Sequence, residues 1–283
     1  MIVDEQRAHL TGVAYRMLGT TADAEDAVQE TFARWYRLTD AERAAIERPA
    51  AWLTRVVSRV CLDVLGSARA RRERYVGEWL PEPVPADPVD DPAERAALTD
   101  SVGLALLVVL ESLTPAERVV FVLHEVFAVP FGEIAEAVGR SPAACRQLAT
   151  SARRRVDAAR AGTPPRARRD AVVRAFAAAC AGGDLTALVA LLDPQVTLRS
   201  DGGGLVSAAR NPVHGPENVA RFLFGVLAKN PAARVEEVAT GDGVAYLWRD
   251  ADAVRGLLTL GVTGDRATDV WIVLNPEKLT RWA

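Results

Sequence analysis

The sequence predicts a multidomain protein: two all-α modules, the second a helix-turn-helix, followed by an α+β domain. Three observations carry that expectation. Apolar residues recur at three- and four-residue steps over residues 10–65 and 115–156, the spacing of helices with one buried face. Between those stretches, residues 80–100 hold Pro81, Pro83, Pro85, Pro88 and Pro92 among six acidic residues, a composition that resists packing and reads as an extended linker. Beyond Asp193-Pro194 the pattern becomes alternation, the period of strands.

Composition narrows the class. With 283 residues and 49% hydrophobic content, the chain is long enough for two or three cored domains. No apolar stretch approaches the roughly 18 residues of a membrane span, and Met-Ile-Val-Asp-Glu-Gln-Arg does not begin a signal peptide, so a cytoplasmic protein is expected. Cys61, Cys145 and Cys180 lack CxxC spacing and sit at apolar helix positions, which predicts buried thiols, with neither disulfide nor metal site. The net charge of −3 conceals an uneven distribution: ten arginines lie in 140–174 against Asp157 and Asp170, and Arg69, Arg71, Arg72 and Arg74 against Glu73. Two basic patches on an acidic chain are compatible with nucleic acid.

Taken in order, Leu10, Val13, Ala14, Met17 and Leu18 define a first helix, ended by Gly19-Thr20-Thr21. The second buries Val28, Phe32 and Trp35 or Tyr36, leaving Asp23, Asp26, Gln29, Glu30 and Arg34 outside. That acidic face is either solvated or a partner surface. A charged connector, 38–49, leads to a long helix over 50–72 with Trp52, Leu53, Val56, Val57, Val60, Cys61, Val64 and Leu65 at helical spacing. Arg55, Arg59 and Arg69 lie on its other faces, in solvent or against DNA.

Thr114-Pro115-Ala116-Glu117 is a capping box that opens a helix running to 126. A short helix over 131–138 turns Ile134, Ala135 and Val138 inward. Gly139 supplies a turn, Ser141-Pro142 caps again, and Cys145, Ala149, Ala152 and Val156 fix the buried face of the next helix. Opposite them stand Gln147, Thr150 and Arg154, flanked by Ala143, Arg146, Ser151 and Arg153. This is the layout of a recognition helix, whose N-terminal half reads bases while arginines hold phosphates.

The remainder begins with a helix over 166–181 (Val172, Val173, Phe176 and Ala177 apolar) and another over 185–192. Strand-like alternation follows at Val196 and Leu198, Val235 and Val238, Ala245 and Leu247, Leu257 to Leu260, and Val270, Ile272 and Leu274, with one more helix over 218–227. Helices first and strands afterwards predict an α+β domain with a curved antiparallel sheet.

The run Asp23-Ala-Glu-Asp-Ala-Val-Gln-Glu-Thr-Phe32, joined in order to the helix-turn-helix of 131–155, resembles regions 2 and 4 of extracytoplasmic-function (ECF) sigma factors. That resemblance implies region 2 at 1–75, a linker at 76–100 and region 4 at 101–162. It assigns Asp26, Gln29 and Glu30 to the β′ clamp of core RNA polymerase, and region 4 to the β flap and the −35 element. The connector would capture an unstacked −10 base, with Arg55, Arg59 and Arg69 on the adjacent duplex. The segment from Val213 to Leu223 resembles SnoaL-like domains of the NTF2-like cone fold, here 166–283. Trp79-Leu80-Pro81-Glu82-Pro83, Asp201-Gly202-Gly203-Gly204-Leu205 and Asn275-Pro276-Glu277-Lys278-Leu279 resemble the three motifs of the ECF41 group, which fuses such a domain to a sigma factor. Leu205 departs from the group's lysine, and Glu277 replaces its aspartate. The resemblance implies an alternative sigma factor regulated in cis, its third domain docking on the linker through the Trp79 anchor and the glycine run. No catalysis and no cofactor are expected. Two other classes remain open: a SnoaL-type enzyme using Asp201, Asp265, His214 or Trp248, and a helix-turn-helix regulator with a ligand-sensing pocket that binds DNA without polymerase.

Overall fold

The structure, a computed structural model, describes residues 2–72, 75–86 and 103–283. The acidic stretch 87–100 and the side chains of Arg69, Arg71, Arg72 and Arg74 lie outside the described residues. Two compact units emerge: one holds residues 2–72 and 106–159, the other 75–86, 103–105 and 160–283.

The first unit is helical. α1 (Ile2–Leu18) ends at Gly19, whose φ of +83° suits a residue without Cβ. Thr20 caps α2 (Thr21–Arg37), its hydroxyl accepting from the Asp23 N–H at 3.2 Å. Leu10, Val13, Ala14 and Met17 of α1 and Val28, Phe32 and Trp35 of α2 are buried, whereas Tyr36 is 64% exposed. Trp35, which meets Trp52 edge to face at 5.3 Å, therefore completes the apolar stripe. Within the connector a further helix forms, α3 (Asp40–Ala44), because Thr39 and Glu42 make a reciprocal capping box. α4 (Pro49–Arg72) packs on α1 and α2.

α5 (Leu104–Glu111) precedes α6 (Pro115–Phe121), which opens with the expected Thr114–Glu117 capping box. The helix does not run as α to 126: Val122–Val126 is a π-helical turn. α7 (Phe131–Val138) and α8 (Pro142–Arg160) form the helix-turn-helix, with Gly139 left-handed at φ +68°. Ala137 is buried where the spacing placed Val138, which is half-buried. Arg118 is the polar centre of this unit. Only 3% exposed, it donates to the carbonyls of Met17 and Leu110, both at 2.9 Å, and pairs with Glu111 at 2.6 Å.

In the second unit, α9 (Arg166–Ala181) and α10 (Leu185–Leu191) precede β1 (Leu192–Asp201), β2 (Val213–His214) and α11 (Pro216–Lys229). β3 (Arg234–Thr240), β4 (Gly243–Asp250), β5 (Ala253–Thr263) and β6 (Arg266–Val273) then meander. The sheet order is β2-β1-β6-β5-β4-β3. It is mixed rather than wholly antiparallel, since β1 and β6 run parallel. Alternation reports which residues face a core but not strand direction; here α11 carries the chain to the far edge, and four antiparallel strands bring it back alongside β1. Phe176, Leu188, Val219, Leu260 and Ile272 lie in the core between the helices and one sheet face. β3 is the outer strand, and its Val235 is 54% exposed rather than inward.

Candidate functional site

Three groups of residues matter, two in the helical unit and one in the sheet unit. On α2, Asp26 and Gln29 are exposed, and Glu30 is half-buried against Arg34 at 2.8 Å. Its hydrogen bond from Arg34 holds the Glu30 carboxyl below the usual range, so the face stays anionic at neutral pH.

The recognition helix α8 is fixed by its buried Cys145, Ala149, Ala152 and Val156. Ala143, Arg146, Gln147, Thr150, Arg153 and Arg154 all reach its exposed side. Two flanking residues have intramolecular partners: Ser151 is half-buried and donates to Glu117 at 2.8 Å, and Arg153 pairs with Glu125. On α4, Arg59 is exposed while Arg55 pairs with Glu136 of α7 at 2.5 Å. Arg48 pairs with Glu133 at 2.7 Å beside it. The first helix of the helix-turn-helix thus supplies counter-charges to the basic face of α4.

The third group joins all three motifs of the sheet unit around one carboxylate. Asp201, at the end of β1, is fully buried. Its Oδ1 accepts from the Tyr75 hydroxyl at 2.6 Å and the Gly203 N–H at 3.0 Å. Its Oδ2 accepts from the Leu80 N–H at 2.9 Å and Lys278 Nζ at 2.7 Å. Lys278 also donates to the Leu80 carbonyl at 2.5 Å, with its ammonium 4.2 Å from the centre of the Trp79 ring. Four donors, one of them a buried cation, come from linker, loop and tail to meet at one residue, a clasp whose members depend on one another.

Surrounding contacts extend this clasp. Asn275 donates to the Tyr75 hydroxyl at 3.1 Å and caps the turn Pro276–Lys278 through the Glu277 N–H. Trp282 donates its indole N–H to the Pro83 carbonyl at 2.8 Å, and Ala86 N–H to Ala239 O at 2.9 Å. Leu80, Pro81, Glu82, Pro83 and Leu279 are buried, while Pro276 and Glu277 are exposed. The glycine run is needed sterically: a Cβ on Gly202 would lie 2.5 Å from Val206 O, and Gly203 has φ +65° and would meet the Asn275 amide at the same distance. Leu205 is 60% exposed; the cation beside Asp201 comes from Lys278. A second attachment holds the entry to α5, where the Ala105 N–H donates to Asp242 Oδ2 at 3.0 Å. Burial pushes the Asp242 carboxyl up. Tyr75, Trp282 and Asp242 escaped the sequence analysis because nothing periodic marks them; their partners lie more than a hundred residues away.

The residues suited to acid–base chemistry do not converge. Asp201 holds the clasp, Asp265 is an exposed turn residue paired with Arg168 at 2.5 Å, and His214 is an exposed strand residue whose Nδ1 is 3.2 Å from Thr197 Oγ1. Trp248 lines an apolar cavity instead.

Family models match sigma-70 region 2 over residues 2–72 and sigma-70 region 4 over residues 103–156. The chain is 42% identical to the ECF RNA polymerase sigma factor SigJ of Mycobacterium tuberculosis, across 97% of this chain and 91% of that protein. The chain belongs to the ECF sigma factor family. It is also 39% identical to the probable ECF RNA polymerase sigma factor SigI of that species, over 96% of this chain and 92% of that one. The crystal structure of M. tuberculosis SigJ superposes with a TM-score of 0.77 at 37% identity, covering 98% of this chain and 97% of SigJ. An ECF sigma factor directs core RNA polymerase to promoters for transcription initiation, and the two helical modules with a SnoaL-like α+β domain are the architecture of this one.

Proposed function

We propose that the SnoaL-like domain regulates this sigma factor in cis by clasping the linker, and that the clasped form is the low-output state. The observation that carries the reading is Asp201, buried and bound at once by Tyr75, Leu80, Gly203 and Lys278. With Ala105 held by Asp242, the exit from region 2 and the entry to region 4 are both tied to one domain. The −10 and −35 elements are separate stretches of promoter duplex, each met by a different module. Here α4 and α7 touch through Arg55 and Glu136, so a cation meant for the −10 duplex is engaged by the other module. Initiation therefore requires the linker to yield length and Arg55 to exchange Glu136 for phosphate.

In the open form, Asp26, Gln29 and Glu30 meet the β′ clamp, and region 4 meets the β flap and the −35 element. Gln147 and Thr150 read bases beside the small Ala143, with Arg146 and Arg154 on phosphates. Ser151 and Arg153 first have to leave Glu117 and Glu125. Arg55, Arg59 and Arg69 hold the −10 duplex. The protein acts in the cytoplasm, performs no catalysis of its own and needs no cofactor.

Run-off transcription with purified core polymerase tests the regulation. Asp201→Asn and Lys278→Met, which break the clasp, raise promoter-specific output about threefold or more, a free-energy change well within reach of one charged contact. Unchanged or reduced output from both would overturn cis inhibition while leaving the sigma activity itself in view.

A further inference from the structure

Region 4 begins at α5, whose sequence is Leu-Ala-Leu-Leu-Val-Val-Leu-Glu, and the N-cap position before it is Gly103, which has no side chain to take up the first N–H groups of the helix. The acceptor comes from the turn between β3 and β4 instead. Asp242, 8% exposed, accepts from the Ala105 N–H at 3.0 Å, and the Leu104 N–H bonds it as well. Arg169 stands farther off, at 3.9 Å. The turn is braced to present this carboxylate: Thr240 Oγ1 donates to the Gly243 carbonyl at 3.0 Å, and the Val244 N–H donates to Asp170 of α9 at 3.0 Å. A Cβ on Gly103 would lie 1.9 Å from Asp242 Oδ1, so the carboxylate fills the place where an ordinary N-cap side chain would begin. α5 in turn supports the recognition helix. Leu104, Leu107 and Leu110 are buried, the Leu110 carbonyl accepts from Arg118 at 2.9 Å, and just past the helix the Ser112 carbonyl accepts from Arg155 of α8 at 3.2 Å.

We propose that Asp242 is a positioning residue for promoter recognition: it is the N-cap of region 4's first helix, supplied from a turn 137 positions away in the sequence. A carboxylate there satisfies two of the four N–H groups that a helix start leaves open, and it faces the positive end of the helix dipole. Without it the first turn of α5 frays, the carbonyls of Leu110 and Ser112 lose their fixed places, and α8 loses part of its support. The cap involves residues 103–105, whereas the clasp on Asp201 involves Tyr75, Leu80 and Lys278. The two attachments are therefore separable, and the cap holds whether or not clasping lowers output.

Four full-length proteins test the role. They are the parent, Asp242→Ala, Gly103→Ala, which pushes on the carboxylate from the helix side, and the double variant Asp242→Ala with Gly103→Asp, which moves the carboxylate to the helix's own N-cap position. The readouts are hydrogen–deuterium exchange of the amides of 104–108 and run-off transcription with core polymerase, with the amides of β5 and β6 as the internal measure of folding. Asp242→Ala and Gly103→Ala each speed exchange about fivefold, the scale of one lost cap, and lower output about threefold. The double variant recovers both, because Gly103 has no left-handed φ and the three nearest atoms that a Cβ there would meet all belong to the removed carboxylate. That recovery is the result an Asp242 needed only for its own turn does not give. Unchanged exchange in Asp242→Ala, or output that rises, overturns the proposal, as does a double variant with β5 and β6 protected as in the parent and the first turn of α5 still fast. Where Asp242→Ala loosens β5 and β6 as well, Gly103→Ala decides, since it leaves the residues of the β3–β4 turn in place.

Discussion

Replacing Asp201 by asparagine keeps the shape of the side chain and removes its charge, which isolates what the clasp owes to electrostatics. Lys278, 5% exposed and 2.7 Å from the carboxylate, would then be a buried ammonium facing an amide. Removing one partner of a buried ion pair costs about 3–5 kcal/mol, because the desolvation of the remaining charge goes uncompensated. Against a domain stability of about 5–15 kcal/mol that is a large loss. Lys278→Met should cost a similar amount. With both changes the buried charges vanish together, so the double variant should be at least about 2 kcal/mol more stable than the sum of the single losses predicts. Urea unfolding of the four proteins followed by fluorescence measures the cycle, and limited proteolysis of residues 75–86 reports release of the linker. Additive losses to within about 0.5 kcal/mol, or a single loss below about 1 kcal/mol, would refute the description of Asp201 and Lys278 as a mutually dependent buried pair.

Arg118→Met removes the donor to two buried carbonyls and the partner of Glu111, and should lower the stability of the helical unit by about 3 kcal/mol, read as a fall in urea midpoint. His9 packs edge to face on Phe127 at 5.0 Å, and burial first, then Arg16, lowers its pKa. Its neutral form is the stable one, so its contribution is complete above the unfolded pKa of about 6.5 and is lost as pH falls from there through the folded value; His9→Gln should flatten that part of the stability profile. Glu136→Gln frees Arg55 from an exposed pair and should tighten −10 duplex binding by no more than about fivefold, a gain that fades in high salt. Gln147→Ala should relax preference at one −35 base pair by about 1–3 kcal/mol, whereas Arg154→Ala should weaken all sequences alike.

What the sequence could disclose follows from how each interaction is encoded. Helices with one buried face, such as α8 with Cys145, Ala149, Ala152 and Val156, announce themselves by spacing, and capping boxes such as Thr114–Glu117 announce their starts. α9 spans the expected 166–181. The π-helical turn at 122–126 was invisible because its apolar residues keep a helical spacing. Strand direction was hidden for a different reason: alternation such as Val270, Ile272 and Leu274 marks which residues share a face and is the same for parallel and antiparallel neighbours. The linker, glycine-run and tail motifs were legible as segments, and the structure brings them together. Which atoms join them was not, since Tyr75 to Asp201 and Lys278 to Leu80 are contacts across 126 and 198 positions. Nor could charge patterning show that Arg55 and Arg153 already have acidic partners within the helical unit.

The proposed control of promoter output by the clasped linker is tested by locking the clasp. A Cβ on Gly204 would lie 3.2 Å from Val76 Cβ, a few tenths short of the roughly 3.5–4.5 Å of a disulfide and at φ +74°, so Val76→Cys with Gly204→Cys in a Cys180→Ser background ties the linker to the glycine loop after a small local shift. Run-off transcription by core polymerase is then measured with this protein oxidised and after reduction. Output should be at least about threefold lower in the oxidised state and recover on reduction. Equal output in the two states would contradict it.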